Sequence, residues 1–561
     1  MNKKIISIRD LEVKYLSRKK VVQAINGLSI DIFENEFLGI VGDAGTGKSV
    51  LQKSLTNLIE QNGWISSGSI IYDAPEKEKN KISDSVDLVE YHRSYLYKDT
   101  INDVRRYYKN RIKSLSDEIK LIETLNINKA FAIENKLSIK LDALSISFEH
   151  QDTSKLRYKI SVLNKEIKRW RRFIYLQLHS DAKRERLDEL IEEIVVCRKE
   201  SEKIRNLTFF DKRKLAKIIE LISEFQEDEK IWTEDNIFLY KKYFMHHEHL
   251  NDMETLTMNA VEQQISGSKI DKKDLQRLMS KWDGVKNANI VNKVKAQRQT
   301  ALLRGATIAS TFQNPSGTLN PLMSVGVQLA EVVAHINDIS IRDARPIAIE
   351  LLEKVGFKNP AIVYKKRPSF FSLSEKQKIN IAIAVANKPK VLICDDPVSI
   401  LDSISRINIL NLISKLKTEF KFTVVLLTHD IRHVVNYADR IAIMYAGQIV
   451  EFGTAKEVIT NSQHPYTWNL LASLPEINKG KIDTNIIAKD RSGFDEVVKG
   501  DKFAPRNPNA LEIDFVYEPP FFQLTDTHYA KTWLLDYRSP KIERPEIIKN
   551  IDKIFEIKEG E

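Results

Sequence analysis

The sequence predicts an α/β fold that is interrupted by an all-α insertion and followed by an irregular C-terminal extension. Three observations predict it. A glycine-rich loop, "GDAGTGKS" at 42–49, sits between an apolar run and a segment of helical spacing, the strand-to-helix context of phosphate-binding loops. Apolar runs ending on polar residues return far downstream, as "VLICDD" at 391–396 and "TVVLLTHD" at 423–430. Between the two regions there is no proline from Pro75 to Pro315 and no glycine from Gly68 to Gly267. So long an absence of both breakers predicts helix.

In chain order, residues 1–73 alternate apolar runs with turns. "IISIRDLEVKY", "AINGLSIDIF" and "FLGIVG" read as strands, "VLQKSLTNLI" after Lys48 as a helix, and "GSIIYD" as a further strand. Residues 74–300 carry apolar side chains three and four apart, as in Ile112, Leu115, Ile119, Ile122 and in Leu187, Leu190, Ile191, Ile194. That spacing predicts a helical hairpin or small bundle, broken near "EHQDTSK" and "HSDAKRER". The piece holds most of the net charge of +10. Its segment 155–173 mixes basic residues with Leu156, Ile160, Leu163, Ile167 and Trp170, as a helix lying on an anionic membrane does. The alternative is a helical ornament with solvated charged faces. Residues 301–475 return to α/β texture, and 476–561 are turn-rich, with "KFAPRNPNA" and "EPPFF".

Composition narrows the function classes. A chain of 561 residues with 42% apolar content has room for about two to four domains and a sizeable core. No run approaches the ~18 uninterrupted apolar residues of a membrane span. The start "MNKKIISIRD" lacks a secretory h-region, so a cytoplasmic chain is expected, with any membrane role by docking. Two cysteines, Cys197 and Cys394, supply neither a disulfide framework nor a cysteine metal site and read as small buried residues. The basic excess permits nucleic acid or anionic lipid as partner without deciding between them.

Four motifs carry chemistry. Gly42, Gly45 and Gly47 let the backbone close on phosphate oxygens, with Asp43, Thr46 and Val50 completing the cradle at a helix N-terminus. Lys48 would meet the β- and γ-phosphates and Ser49 would hold Mg²⁺. Asp395, at the end of an apolar strand, would hold the Mg²⁺ through water, and Asp396 would polarise the attacking water; read alone, the segment is only a strand and a turn. His429 ends another strand, suited to the γ-phosphate or to a structural task. Gln313, in "TFQNPSGTLNP", could reach the Mg²⁺ and the water.

Together and in this order the motifs resemble the ATP-binding subunit of an ABC transporter, over residues 1–73 and 301–475. The resemblance implies a RecA-like P-loop nucleotide-binding domain with a helical subdomain. It implies an adenine-stacking role for Tyr15, a dimer-interface loop in "SILD" (399–402), and a signature loop in "FSLSE" (371–375). Ser372 of that loop would serve the ATP held by the opposite subunit. The phrases "FQNPSGTLNP", "MYAGQIVEFGT" and "HPYTWNLLASLP", with the 476–561 tail, resemble the oligopeptide/dipeptide importer branch. "NGWISSGSI" is similar to its D-type subunit and "LICDDPVS" to its F-type subunit, with D-type favoured. ATP and Mg²⁺ are the implied ligands, and the implied place is the cytoplasmic face of the cell membrane. Two membrane permease subunits and an unlike second ATPase subunit are the implied partners, with an extracellular peptide-binding protein engaged indirectly and no nucleic acid.

Three departures qualify the resemblance. Many relatives hold an iron–sulfur cluster on four tail cysteines; Asp501, Asn507, Asp514 and Thr532 stand there, so no cluster is expected. Packing by Phe503, Phe515, Phe521 and Trp533 is expected to hold the tail instead. The signature Leu-Ser-Gly-Gly-Gln is Phe371-Ser372-Leu373-Ser374-Glu375 here, adding bulk and a negative charge beside a triphosphate. The catalytic carboxylate is aspartate rather than glutamate. Two alternatives stay open: a nucleotide-binding regulatory subunit that hardly hydrolyses, and a soluble ABC-type ATPase acting on nucleic acid. Condensin- and repair-type ATPases also split their head with helices, but after the glutamine loop rather than before it.

Overall fold

Side-chain alternation along five buried strands sets the architecture. β3 (Phe37–Val41), β6 (Ile308–Thr311), β7 (Val391–Asp395), β8 (Thr423–Thr428) and β9 (Arg440–Tyr445) are parallel, in the order β9-β3-β8-β7-β6. Phe37, Val41, Leu392, Cys394, Val424, Leu426, Ile441 and Ile443 enter one core with the helices Val325–Asn337, Ile341–Lys354, Leu373–Val385 and Ser403–Phe420. Their neighbours Leu38, Ile40, Val391, Ile393, Val425, Leu427, Ala442 and Met444 enter the other. There they meet the helix Lys48–Leu55 and a second sheet, ordered β2-β1-β4-β5, of β1 (Lys4–Ser17), β2 (Lys20–Phe33), β4 (Gly63–Asp73) and β5 (Ser85–Asp87). A parallel sheet covered on both faces is the reason these strands read as continuous apolar runs. Both cysteines are buried, as small apolar residues.

The computed structural model describes residues 3–17, 20–60, 62–73, 85–89, 98–124, 126–150, 154–203, 207, 209–226, 232–244, 252–270, 274–275, 278–279, 282, 290–474, 500–542, 544–545 and 548. By contact the chain forms two compact units. One is Met1–Ser17, Val21–Tyr97 and Met279–Glu561; the other is Lys98–Leu278 with Arg18–Lys20. The helical unit is thus narrower than the expected 74–300. β5 pairs with β4 (Ile71 opposite Asp87), and the helix Ile290–Leu303 lies in the α/β unit.

Within the helical unit, Lys98–Thr124 packs on Ser180–Lys203 and Ile127–His150 on Ser154–Leu178. Arg111–Glu193 (2.5 Å), Arg186–Glu118 (3.1 Å) and Arg171–Glu134 (2.8 Å) pair charges between helices. Leu115, Ile122 and Leu190 are buried, whereas Ile191 is exposed. In the segment 155–173, Leu163 and Ile167 are buried in the unit's own packing. The side chain of Leu156 lies outside the described residues. Ile160 and Trp170 are half-buried, so only part of the apolar stripe is taken up by protein packing, and the exposed face carries Lys165, Lys168, Arg169 and Arg172.

The C-terminal extension is tied to the α/β unit by backbone and by buried polar groups. β12 (Tyr529–Ala530) pairs antiparallel with β10 (Gln448–Thr454), and β11 (Phe522–Gln523) pairs with β12. Phe503 is buried, Phe521 stacks edge-on to Phe452 at 5.6 Å, and Trp533 Nε1 donates to the Tyr517 carbonyl at 2.9 Å. Phe515 is 49% exposed, which corrects its expected anchoring role. Its short helix, Glu512–Val516, turns Asp514 inward instead.

The residues at the four cluster positions do not fit an iron–sulfur centre. All four are buried oxygen donors, and each accepts a backbone N–H. Asp501 accepts from Phe503 (2.9 Å), Asn507 from Asn509 (3.0 Å), Asp514 from Leu511 (2.6 Å) and Thr532 from Leu534 (3.3 Å). Hydrogen-bonded turns stand where thiolates would bind iron.

Burial of His464 carries a pH prediction. Its Nδ1 accepts from the Tyr466 N–H at 3.0 Å, its Nε2 has no partner, and burial lowers its pKa to about 3. A histidine depressed in the folded state stabilises fully above its unfolded value near 6.5, and this stability is lost as pH falls toward about 3. Asp501, raised by burial to about 6, acts in the opposite sense, so the comparison is made between proteins. His464→Gln is expected to lose about 2 kcal/mol less stability than wild type between pH 7 and pH 5, measured by urea unfolding. Equal losses would sink this assignment.

Candidate active site

The register of the parallel strands brings distant motifs to one edge. Val41 lies opposite Thr428, and Asp395 opposite Leu427. The residues that follow each strand therefore emerge together at the carboxyl edge, where parallel sheets bind ligands. Gly42 N–H donates to the Thr428 carbonyl (3.2 Å) and Asp396 N–H to the Leu427 carbonyl (2.8 Å).

Loop 42–49 folds tightly for identifiable reasons. A Cβ on Gly42 would lie 2.2 Å from the Met444 carbonyl oxygen. Gly47 has φ +105°, and a Cβ there would meet the Ala24 carbonyl oxygen at 2.4 Å. Both positions require glycine. Gly47 caps the helix Lys48–Leu55, so Ser49 and Val50 lie in its first turn. Buried Lys48 Nζ donates to the carbonyls of Gly42 (2.6 Å) and Asp43 (2.7 Å) and to the Thr46 hydroxyl (3.3 Å). Burial lowers the Lys48 ammonium below its ordinary value, against the pull of Asp396, Asp395 and Asp43. Lys48 thus lies in the field of both carboxylates, from opposite ends of the sequence.

Burial raises Asp395 above the usual carboxylate range, partly offset by a hydrogen bond with the Ser49 hydroxyl. Asp396 has φ +44°, a left-handed conformation that aspartate adopts more readily than glutamate. Its Oδ2 lies 2.5 Å from His429 Nδ1 and its Oδ1 3.4 Å from the Thr428 hydroxyl. That hydroxyl is also 3.2 Å from Nδ1 of His433, a buried histidine lowered mainly by desolvation. Gln313 stands at the same edge, its Nε2 3.4 Å from the Ser399 hydroxyl of the "SILD" segment.

Two expected site residues lie apart from this cluster. Tyr15 lies near the end of β1, opposite Gly63, and donates to Glu60 Oε2 at 2.7 Å, with its ring against Gly63. Ser372 caps the helix Leu373–Val385 in a reciprocal capping box with Glu375. The Ser372 N–H and hydroxyl each lie 2.9 Å from Glu375 Oε2. Glu375 is thus turned onto its own helix end, where its carboxylate caps Ser372.

Sequence reasoning missed several contributors. Thr428 bridges Asp396 and His433, and Gln52 fixes the helix after the loop by donating to the Thr311 carbonyl at 2.8 Å. Tyr466 accepts the Asp43 N–H at 2.9 Å. Buried polar residues inside apolar helices and strands give no periodic signal, so only the S-x-x-E spacing of Ser372 and Glu375 was open to notice.

Comparisons with known proteins agree with this geometry. The family model described as "ABC transporter" matches residues 25–285 and 255–399, and "Oligopeptide/dipeptide transporter, C-terminal region" matches 450–513. The oligopeptide transport ATP-binding protein AmiE of Streptococcus pneumoniae serotype 4 (strain ATCC BAA-334 / TIGR4) is 41% identical over 255 residues, 45% of this chain and 72% of AmiE. OppD of Bacillus subtilis (strain 168), of the same description, is 39% identical over 308 residues, 54% of this chain and 86% of OppD; its name agrees with the D-type expectation. A solved dimer of the ATP-binding cassette MJ0796 with ADP and Pi aligns over 80% of this chain and 99% of its own, at 13% identity and a TM-score of 0.37. By the family-model match and these relatives, the chain belongs to the ABC transporter family.

Proposed function

We propose that this chain hydrolyses ATP to power oligopeptide uptake, as a peripheral subunit on the cytoplasmic face of the cell membrane. It acts beside an unlike second ATPase subunit and against two permease subunits. One observation carries the reading: Lys48, Asp395, Asp396 and His429 converge at one sheet edge in a chain whose C-terminal region matches oligopeptide/dipeptide transporters.

The contacts support the roles of the phosphate-loop and strand-end residues, and those of Tyr15 and Ser372 rest on the family resemblance. Lys48 and the loop N–H groups hold the triphosphate, and Tyr15 stacks on the adenine. Asp396 orients the attacking water, with His429 bound to its other side. Ser49, Asp395 and Gln313 supply oxygen donors that fit Mg²⁺, which takes few protein ligands alongside substrate phosphates. When bound, Mg²⁺ neutralises charge on those phosphates. Ser372 serves the partner's ATP. Since Asp396 acts in one composite site and the altered Ser372–Glu375 cap in the other, a heterodimer avoids combining both departures in one site.

Affinity purification of the tagged chain from membranes of its host is the test. Recovery of two integral permeases and a second ATPase, with ATP turnover by the complex, is expected. An ATPase that stays in the soluble fraction and is stimulated by nucleic acid would overturn the reading.

A further inference from the structure

The Asp43 peptide is held from both sides. In the peptide that joins Gly42 to Asp43, the Gly42 carbonyl accepts from the Lys48 ammonium at 2.6 Å, and the Asp43 N–H donates to the Tyr466 hydroxyl at 2.9 Å. That hydroxyl also bonds the Asp43 carboxylate. An N–H committed to a buried phenol is turned away from the space Lys48 serves, so Tyr466 fixes the loop's entry limb without touching phosphate. Any tilt of this peptide moves an acceptor of Lys48.

Tyr466 is itself wedged. It is buried at the start of the helix Pro465–Ala472, its ring centroid 4.6 Å from Tyr445 and 5.5 Å from Phe503. Phe503 also meets Tyr445 edge-on at 5.2 Å and His464 at 5.8 Å. Phe503 belongs to the C-terminal extension, where Asp501 accepts its N–H. A continuous path of buried rings thus runs from the extension to the phosphate loop.

We infer that Tyr466 is a positioning residue for the phosphate loop, and that the C-terminal extension sets nucleotide affinity through Phe503 and Tyr466. The inference rests on the proposed ATP site and adds a regulating element to it. Aromatic contacts fix the ring, and its hydroxyl accepts the N–H of a peptide in the loop.

The test measures the Kd of a fluorescent ATP analogue, kcat, KM and Tm on the purified complex. Tyr466→Phe, which keeps the ring and removes the phenol that accepts the Asp43 N–H, is expected to raise Kd and KM about tenfold with kcat little changed. Phe503→Leu is expected to raise Kd in the same direction, by about threefold. Trp468→Phe is the control: it lies in the same helix but donates to the Ser462 carbonyl, so Tm should fall without a change in Kd. The inference is overturned if Tyr466→Phe stays within about twofold of wild type, or if Trp468→Phe raises Kd as much. A shift in Tyr466→Phe without one in Phe503→Leu would overturn the extension's part. A wild-type complex that binds no nucleotide would overturn the ATP site itself.

Discussion

Asp396→Asn is expected to lower ATP turnover about a hundredfold while leaving nucleotide affinity within about threefold of wild type. The amide keeps the size of the carboxylate and its place at the end of β7, so the fold and the loop should be undisturbed. What it loses is charge. The carboxylate 2.5 Å from His429 Nδ1 can accept a proton from water and hold the imidazole in one orientation; an amide does neither well. Asp396→Glu should not simply restore a longer reach, because the backbone there has φ +44°, which glutamate adopts less readily. Phosphate release by the purified complex gives the answer. Turnover unchanged in Asp396→Asn would place the engine in the other composite site and favour a regulatory role for this one.

Glu451→Ala is expected to cost about 4 kcal/mol or more of stability. Glu451 is fully buried and accepts the N–H groups of Gln463 (2.7 Å) and His464 (3.1 Å), the Thr467 hydroxyl (2.5 Å) and His528 Nε2 (2.9 Å). Removing it leaves four donors unpaired in the interior, each worth about 1–3 kcal/mol. Since His528 comes from the C-terminal extension, that segment should also become sensitive to protease. Urea unfolding and limited proteolysis check both effects. A loss below about 1 kcal/mol would mean the network is replaced by water.

The sequence made the phosphate loop and the strand ends legible because their chemistry is local. Glycines at fixed spacing, and buried strands ending in Asp395 and Thr428, leave marks a reader can count. The edges of the insertion were not legible: β5 is three residues long, too short for alternation to register against helical surroundings. Tyr466 and Phe503 were hidden for the opposite reason. Aromatic residues in an apolar helix or a turn-rich tail look like any core contact, and only the fold shows that one of them ends on the phosphate loop. Phe515 was misjudged because hydrophobicity alone does not say which way a five-residue helix faces.

The pairing of β12 with β10 has a consequence outside catalysis. Glu451 lies opposite Ala530 and Phe452 opposite Tyr529, and the Lys531 N–H reaches the Val450 carbonyl at 2.8 Å. Clipped free of its tail, the cassette would present β10 as a bare ribbon, a template for recruiting a second chain. Truncated forms should therefore precipitate or form ladders of sticky oligomers, even where ATP binding survives.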